Sequence, residues 1–376
     1  MMKIGIFGGT FDPVHSEHVA LASAAIDALS LDRLFVVPTF LSPHKQGRRV
    51  ASAEHRLAMC RLAFSQEKEE VCDYEIEAGG TSYSYLTCRH FRALYPDAEI
   101  YFVMGTDMLD FFPHWKEPRD ILSHVRLAVG ARAEELTALE GRQSAFSERF
   151  GCGFSVVPFV GAPVSSTKIR AIAALGGDVS ALTGEKVAAY LEAEGVYRDD
   201  MLCRALALEK PSRREHSIRV AVMALSRAES LGIPEEKALL AAGMHDVAKN
   251  LPPDSPYLAG FVPPDCPPPV LHQFSGAYVA EHAFGVRDED VVNAIRYHTS
   301  GRPHMSELEK LVFLADMLEE GRSYPGVEEC RQLFYRDIDA CLALCLERQL
   351  AYLRECGGTV YPLTEQTYQW IKEERI

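Results

Sequence analysis

Six residues in the second half of the chain carry side chains that bind transition metals: His216, His245, Asp246, His272, His298 and Asp316. Adjacent His245 and Asp246 form a compact pair, in which the carboxylate can bridge two ions while the imidazole binds one. His216 and Asp316 complete the ligands of a first ion, and His272 and His298 serve a second. Mixed imidazole and carboxylate ligation suits Fe, Mn, Co or Zn better than Ca or Mg. Paired ions clamp phosphate oxygens and activate water near neutral pH, so the chemistry expected here is cleavage of a phosphate ester or anhydride. Lys249, three residues after Asp246, shares its face of a helix. Arg302, on the loop after His298, is a second cation within reach of a phosphate.

The first half offers a different device. GGTFDPVHSEH, Gly8–His18, follows an apolar run, and SSTKIR, Ser165–Arg170, echoes it later. Gly8 and Gly9 carry no Cβ, so backbone can approach a phosphate closely. The helix expected after His15 turns its free N–H groups and positive dipole end toward that loop. His15 and His18 can donate hydrogen bonds to phosphate oxygens as charge develops. No Walker lysine follows these glycines, which excludes a P-loop. SSTKIR repeats the device with small hydroxyl residues at a helix start and Lys168 and Arg170 as cations.

These residues sit in a chain of 376, long enough for two domains. A net charge of −14 disfavours non-specific binding to nucleic acid or an anionic membrane. No apolar run approaches the roughly 20 residues of a membrane helix. Ten cysteines without a C-x-x-C pair point to a reduced cytoplasmic setting rather than a zinc ribbon. A homo-oligomer is compatible with this composition.

Strands are expected at Lys3–Phe7, Arg33–Val37, Ile100–Met104, Arg126–Val129 and Phe154–Val157, with helices at His18–Leu29, Ala53–Ser65 and Tyr85–Leu94. Such alternation implies an α/β Rossmann-like parallel sheet covered by helices. Beyond about Asp199 the strand signal disappears and an all-α domain follows. Ser212-x-x-Glu215 and Ser306-x-x-Glu309 both have capping-box spacing. Pro234 suits the first turn of a helix running to about Lys249. Residues 252–269 hold eight of the 21 prolines and form a loop or lid. The expected division is 1–198 and 199–376.

The first half resembles the nucleotidylyltransferase superfamily, and within it the nicotinate-nucleotide adenylyltransferases. Beyond the two signatures, the resemblance rests on Ser42-Pro43-His44-Lys45, His55-Arg56, Thr81-Ser82-Tyr83-Ser84-Tyr85, Met104-Gly105-Thr106-Asp107 and His114-Trp115. It implies that Gly8, Gly9, Thr10, Phe11, His15 and His18 hold ATP. Ser166, Thr167 and Arg170 would close on the phosphates, with Lys45 as a further cation. Gly105 and Asp107 would line the adenosine side, and Thr81, Tyr83 and Trp115 would face the pyridine nucleotide. The implied reaction joins ATP and nicotinate mononucleotide, with Mg²⁺ arriving on ATP. The family pattern H-x-G-H reads His15-Ser16-Glu17-His18 in this chain, and Glu17 is expected to point outward. The basic run after Gly130 is thin, being Ala131-Arg132-Ala133-Glu134. If Glu17 instead disabled transfer, the domain would be a nucleotide sensor.

The second half resembles the HD metal-dependent phosphohydrolases, and within them the symmetrical bis(5′-nucleosyl)-tetraphosphatases. The likeness rests on Ala294–Pro303, Leu314–Glu319 and Tyr324–Glu328. It implies a dinuclear centre, of iron or a similar metal, and a dinucleoside polyphosphate substrate split into two ADP. A deoxynucleotide or a cyclic dinucleotide is the alternative substrate.

Overall fold

The structure, a computed structural model, describes residues 1–43, 50–161 and 164–374. The chain forms two units, Met1–Ile169 with Asp178–Tyr197, and Arg170–Gly177 with Arg198–Ile376. The backbone thus divides at Tyr197 and Arg198, while the short stretch after Ile169 is grouped with the second unit. Among the described residues no helix is long and apolar enough to cross a membrane.

The first unit is built on six parallel strands: β1 Lys3–Gly9, β2 Arg33–Pro38, β3 Glu69–Val71, β4 Glu99–Gly105, β5 Arg126–Ala131 and β6 Ser155–Pro158. Their order is β3-β2-β1-β4-β5-β6. The five expected strands are all present. The sixth, β3, was missed because it is a three-residue edge strand made of Glu69, Glu70 and Val71, with no apolar run to betray it. Ile4, Ile6, Val36, Val103 and Val129 have no exposed surface, as expected of parallel strands covered on both faces. The strand order reverses between β1 and β4. Parallel sheets of this kind bind ligands outside the carboxyl ends of the strands at that point. Gly8-Gly9 closes β1 and Gly105 closes β4, so both motifs reach the same crevice.

The second unit is helical. Helices Pro211–Ala228, Glu235–Met244, Pro268–His282, Glu289–Arg296 and Glu307–Leu318 pack around a core that includes Val220, Ala241, Ile295, Val312 and Phe313. Glu307–Leu318 is buried at Leu308, Leu311, Val312, Phe313, Leu314, Ala315 and Leu318, nearly all round its axis, which marks it as a central helix. Of the two expected capping boxes only the second is used at the cap. Ser306 Oγ accepts the Glu309 N–H at 3.1 Å. The first is bypassed: Pro211 opens its helix, with Lys210 at the cap position and no side-chain cap bond. The helix after Pro234 stops at Met244, so His245 and Asp246 stand in the turn that follows rather than inside the helix.

Candidate functional site

In the helical unit, the six candidate ligands come from five places in the chain, since His245 and Asp246 share one turn. His216 lies in Pro211–Ala228, His272 in Pro268–His282 and Asp316 in Glu307–Leu318, while His245, Asp246 and His298 follow helix ends. Their ligand atoms form overlapping groups: His216, His245 and Asp246; His245, His298 and Asp316; Asp246, His272 and His298. The Asp246 carboxylate stands between two sets. Its Oδ2 is 3.5 Å from His245 Nε2 and 4.0 Å from His216 Nε2, while Oδ1 is 3.2 Å from His272 Nε2 and 3.5 Å from His298 Nε2. Asp316 Oδ1 is 2.9 Å from His216 Nε2 and 3.9 Å from His245 Nε2.

The far nitrogens of three imidazoles are tied down. His245 Nδ1 donates to Ala242 O at 2.7 Å, His298 Nδ1 to Ile295 O at 2.8 Å and His216 Nδ1 to Glu319 Oε1 at 3.0 Å. Each Nε2 therefore presents its lone pair inward, the arrangement that orients metal-bound imidazoles. Burial pushes His245 down to about 3, against the opposing pull of Asp246 and Asp316, and keeps it in the neutral form that ligates. His216 Nε2 and His245 Nε2 are buried without a hydrogen bond, and the buried Asp246 oxygens have ion-pair neighbours but no well-directed hydrogen bond. Buried polar atoms left this way are costly unless something else satisfies them, and the donor set fits a pair of divalent ions.

Several neighbours were not singled out from sequence. Arg213 Nη1 is 2.9 Å from Asp246 Oδ2, and Arg322 Nη2 donates to Asp316 Oδ1 at 2.6 Å. Arg213 precedes His216 by three residues on one helix, a same-face spacing that could have flagged it. Glu319 accepts from His216, from Arg219 Nε at 2.6 Å and from the Gly321 N–H at 2.6 Å. Lys249 Nζ stands 3.4 Å from Asp246 Oδ1 and 3.1 Å from His272 Nε2, reached from the turn after Met244 rather than along the expected helix face. Arg302 has a partner that the sequence did not name: it binds the buried Glu309 carboxylate through Nε at 2.9 Å and Nη2 at 2.6 Å. Replacing Glu319 by Gln, which reverses one partner of His216, should weaken metal affinity about 10- to 100-fold. Competition with a chelator measures this, and unchanged affinity would leave Glu319 a purely structural role.

In the α/β unit, the loop after β1 is shaped from below. Phe11 adopts a left-handed backbone, φ 50°, at a cost of about 1–2 kcal/mol for a residue with a side chain. Its ring is buried against Phe7, His18 and Phe64, with centroids 5.4, 5.0 and 5.9 Å away. Phe11 thus supports the loop from the core with its ring, which leaves its backbone as the part that lies along the glycine loop. A Cβ on Gly9 would lie 3.0 Å from that ring. Arg56, almost wholly buried, donates to the carbonyls of Ala51, Thr10, Thr39 and Phe40. It fastens Thr10 to the end of β2. Tyr197 OH donates to Asp12 Oδ1 at 2.6 Å.

His15 caps helix Ser16–Leu29, and its ring stacks on His18 with centroids 3.7 Å apart. The His15 N–H donates to His18 Nδ1 at 3.2 Å, which puts the His18 proton on Nε2. Burial pushes His15 down to about 4, with Glu17 pulling the other way. The unfolded chain takes up this proton near pH 6.5, whereas the folded one resists it to about pH 4. Stability is therefore whole above about pH 6.5 and falls as pH drops toward 4, by about 2 kcal/mol at pH 5. Thermal unfolding of the α/β unit at pH 7 and pH 5 should show this loss, and His15→Asn should flatten it.

Glu17 does not point outward. It is buried, its Oε1 accepts from Arg132 Nε at 2.8 Å, and its Oε2 accepts from the Val164 N–H at 3.3 Å. The thin basic run after β5 supplies the one cation this carboxylate needs.

Ser166 Oγ donates to Pro13 O at 3.0 Å, joining the SSTKIR helix start to the glycine loop. Arg170 Nη2 is held by both oxygens of Glu235, at 3.1 and 3.2 Å, so this expected phosphate cation has a carboxylate partner. Thr167 lies in the first turn of the same helix. After β4, Asp107 is exposed and its Oδ1 comes within 2.5 Å of where a Cβ on Gly105 would sit. Trp115 is half-buried against Phe102 and Phe112, and Lys116 lies over the Tyr83 ring at 4.3 Å. Thr81 bridges to Leu41. Lys45 falls outside the described residues.

The fold and the two clusters define a nucleotidyl-transfer domain joined to an HD hydrolase domain. A cytidylyltransferase-like profile matches residues 6–172 and an HD domain profile matches 213–321. The nicotinate-nucleotide adenylyltransferase/Ap4A hydrolase of Mycoplasma genitalium is 30% identical over 332 residues, covering 85% of this chain and 88% of its own. The Mycoplasma pneumoniae counterpart is 32% identical over 340 residues, with 84% and 88% covered. The chain belongs to this two-domain nicotinate-nucleotide adenylyltransferase/Ap4A hydrolase family. Among solved structures, an HD-superfamily hydrolase of Clostridium acetobutylicum described as involved in NAD metabolism aligns at TM-score 0.43 and 29% identity, covering 47% of this chain and 97% of that one.

Proposed function

We propose that the protein is a bifunctional cytoplasmic enzyme of nucleotide metabolism. Its α/β unit transfers an adenylyl group from ATP to nicotinate mononucleotide, giving nicotinate adenine dinucleotide and pyrophosphate. Its helical unit hydrolyses diadenosine tetraphosphate to two ADP. The observation that carries the second activity is the Asp246 carboxylate, with one oxygen toward His216 and His245 and the other toward His272 and His298.

In the transfer reaction the mononucleotide phosphate is already a nucleophile, so no general base is needed. It attacks the α-phosphorus in line, and the protein supplies position and charge. The Gly8-Gly9 backbone and the start of helix Ser16–Leu29 receive the triphosphate, and His18 Nε2–H donates to a phosphate oxygen. Trp115 and Tyr83 take the pyridine side, and Mg²⁺ comes with ATP. Glu17 gives no reason to demote this unit to a sensor, because Arg132 compensates its charge.

In the hydrolytic reaction a dinuclear centre, iron in our reading, supplies charge neutralisation and an activated water when bound. His216, His245 and Asp316 would hold one ion, His272 and His298 the other, with Asp246 shared. Lys249 and Arg213 would meet the polyphosphate beside them. Anaerobic protein loaded with Fe²⁺ should convert diadenosine tetraphosphate to ADP alone. The appearance of AMP and ATP would overturn the symmetrical assignment. Separately, ATP and nicotinate mononucleotide should yield stoichiometric pyrophosphate and dinucleotide, and binding of ATP without pyrophosphate release would restore the sensor.

A further inference from the structure

The Glu17 side chain is one link of a longer chain of bonds. Thr106 Oγ1, in the turn after β4, donates to Glu135 Oε1 at 2.7 Å. The other Glu135 oxygen accepts the Arg132 N–H at 2.8 Å, just after β5. Arg132 Nε donates to Glu17 Oε1 at 2.8 Å, in the first helical turn after β1, and Glu17 Oε2 accepts from the Val164 N–H, two residues before the helix that starts at Ser166 beyond β6. One run of charge-assisted bonds therefore joins the segments that leave the carboxyl ends of β1, β4, β5 and β6. These are the segments that carry the His15 and His18 signature, the Gly105 and Asp107 turn, and SSTKIR.

The surroundings are built for this carboxylate. Glu17 is 8% exposed, and a Cβ at Gly161 would sit 3.2 Å from its Oε1. A glycine at position 17 could make none of these bonds. A buried carboxylate that accepts from both a guanidinium and a backbone N–H is held to one place, since moving it would leave a buried charge unpaired.

We propose that Glu17 is a positioning residue for adenylyl transfer, acting through Arg132 and Val164 to hold the two phosphate-binding helix starts in register. It touches no substrate. This rests on the transferase reading given above. Its effect falls on kcat, because misplacing a bound triphosphate by about 1 Å costs on the order of 100-fold while leaving most ground-state contacts in place.

The test uses the full-length protein with ATP and nicotinate mononucleotide. Glu17→Gln keeps the shape but sets an amide N–H against the Val164 N–H or Arg132. Its kcat should fall about 30- to 100-fold, with the KM for ATP within about threefold of the original. Arg132→Met should fall comparably, and the double variant should be little worse than either single one, because they break the same link. Arg132→Lys, which keeps a cation and a donor, should stay within about fivefold of the unaltered protein. Unchanged or raised kcat in Glu17→Gln, or losses that multiply in the double variant, would overturn the proposal. Hydrogen exchange at the Val164 amide provides a readout without turnover. It should speed at least tenfold in Glu17→Gln, and unaltered exchange would also overturn the linkage. If the unaltered protein releases no pyrophosphate while Val164 exchange still depends on Glu17, the transferase reading fails and the linkage stands.

Discussion

Asp246→Ala should abolish tetraphosphate hydrolysis, lowering ADP release by on the order of 1,000-fold or more, and should strip metal from the protein. Each carboxylate oxygen faces a different set of imidazoles, so this one substitution removes a ligand from both proposed ions. Loss of a single outer hydrogen-bonding partner of a ligand costs about 10- to 100-fold in affinity or activity, and loss of a shared ligand must cost more. Arg213 and Lys249 would then face each other across the vacated position with no carboxylate between them. Elemental analysis per chain beside ADP release makes the check. A variant that keeps two metals per chain and its full rate would remove Asp246 from the centre.

His18→Ala should lower kcat for adenylyl transfer by about 100- to 1,000-fold, the usual cost of deleting one donor aimed at developing charge, while changing the KM for ATP little. The His15 N–H occupies His18 Nδ1, so the ring has one tautomer and its proton is on Nε2. Stacking on His15 and edge contact with Phe11 hold the ring plane. The donor is thus oriented before substrate arrives, which is the condition for a large catalytic effect. Initial rates of pyrophosphate release across an ATP series separate the two constants. A kcat within fivefold of the unaltered protein would take His18 out of the reaction.

Much of the architecture was legible because it depends on local pattern. Continuous apolar runs between amphipathic stretches sufficed for β1, β2, β4, β5 and β6, and β3 escaped because a short polar edge strand has no such run. Likewise the six candidate ligands of the helical unit were picked out by residue type and order, since the ordered series His216, His245-Asp246, His272, His298 and Asp316 is rare on a helical background, and the structure brings them together. The capping boxes show the limit. Ser306 caps its helix, whereas Ser212 is displaced by Pro211, which has no N–H to satisfy and a φ already suited to a first turn.

Partners distant in the chain were not legible. Glu17 was expected outward because a negative charge repels a triphosphate, yet Arg132 lies 115 positions away and turns it inward. Arg170 was expected at a phosphate, and its carboxylate partner Glu235, 65 positions away, gave no local signal. Glu319 gave no spacing signal toward His216, from which it is separated by about half the unit's length. By itself the sequence pointed to the two chemistries, most of the elements that carry them and the six candidate metal ligands, because these follow from residue type and short-range periodicity. Only the tertiary structure decided which way each imidazole faces, which cations have carboxylate partners, and that Glu17 is buried against Arg132 and the Val164 N–H. Those properties are pairings between distant residues, and their energies depend on burial and on distances of a few ångströms that no local pattern encodes.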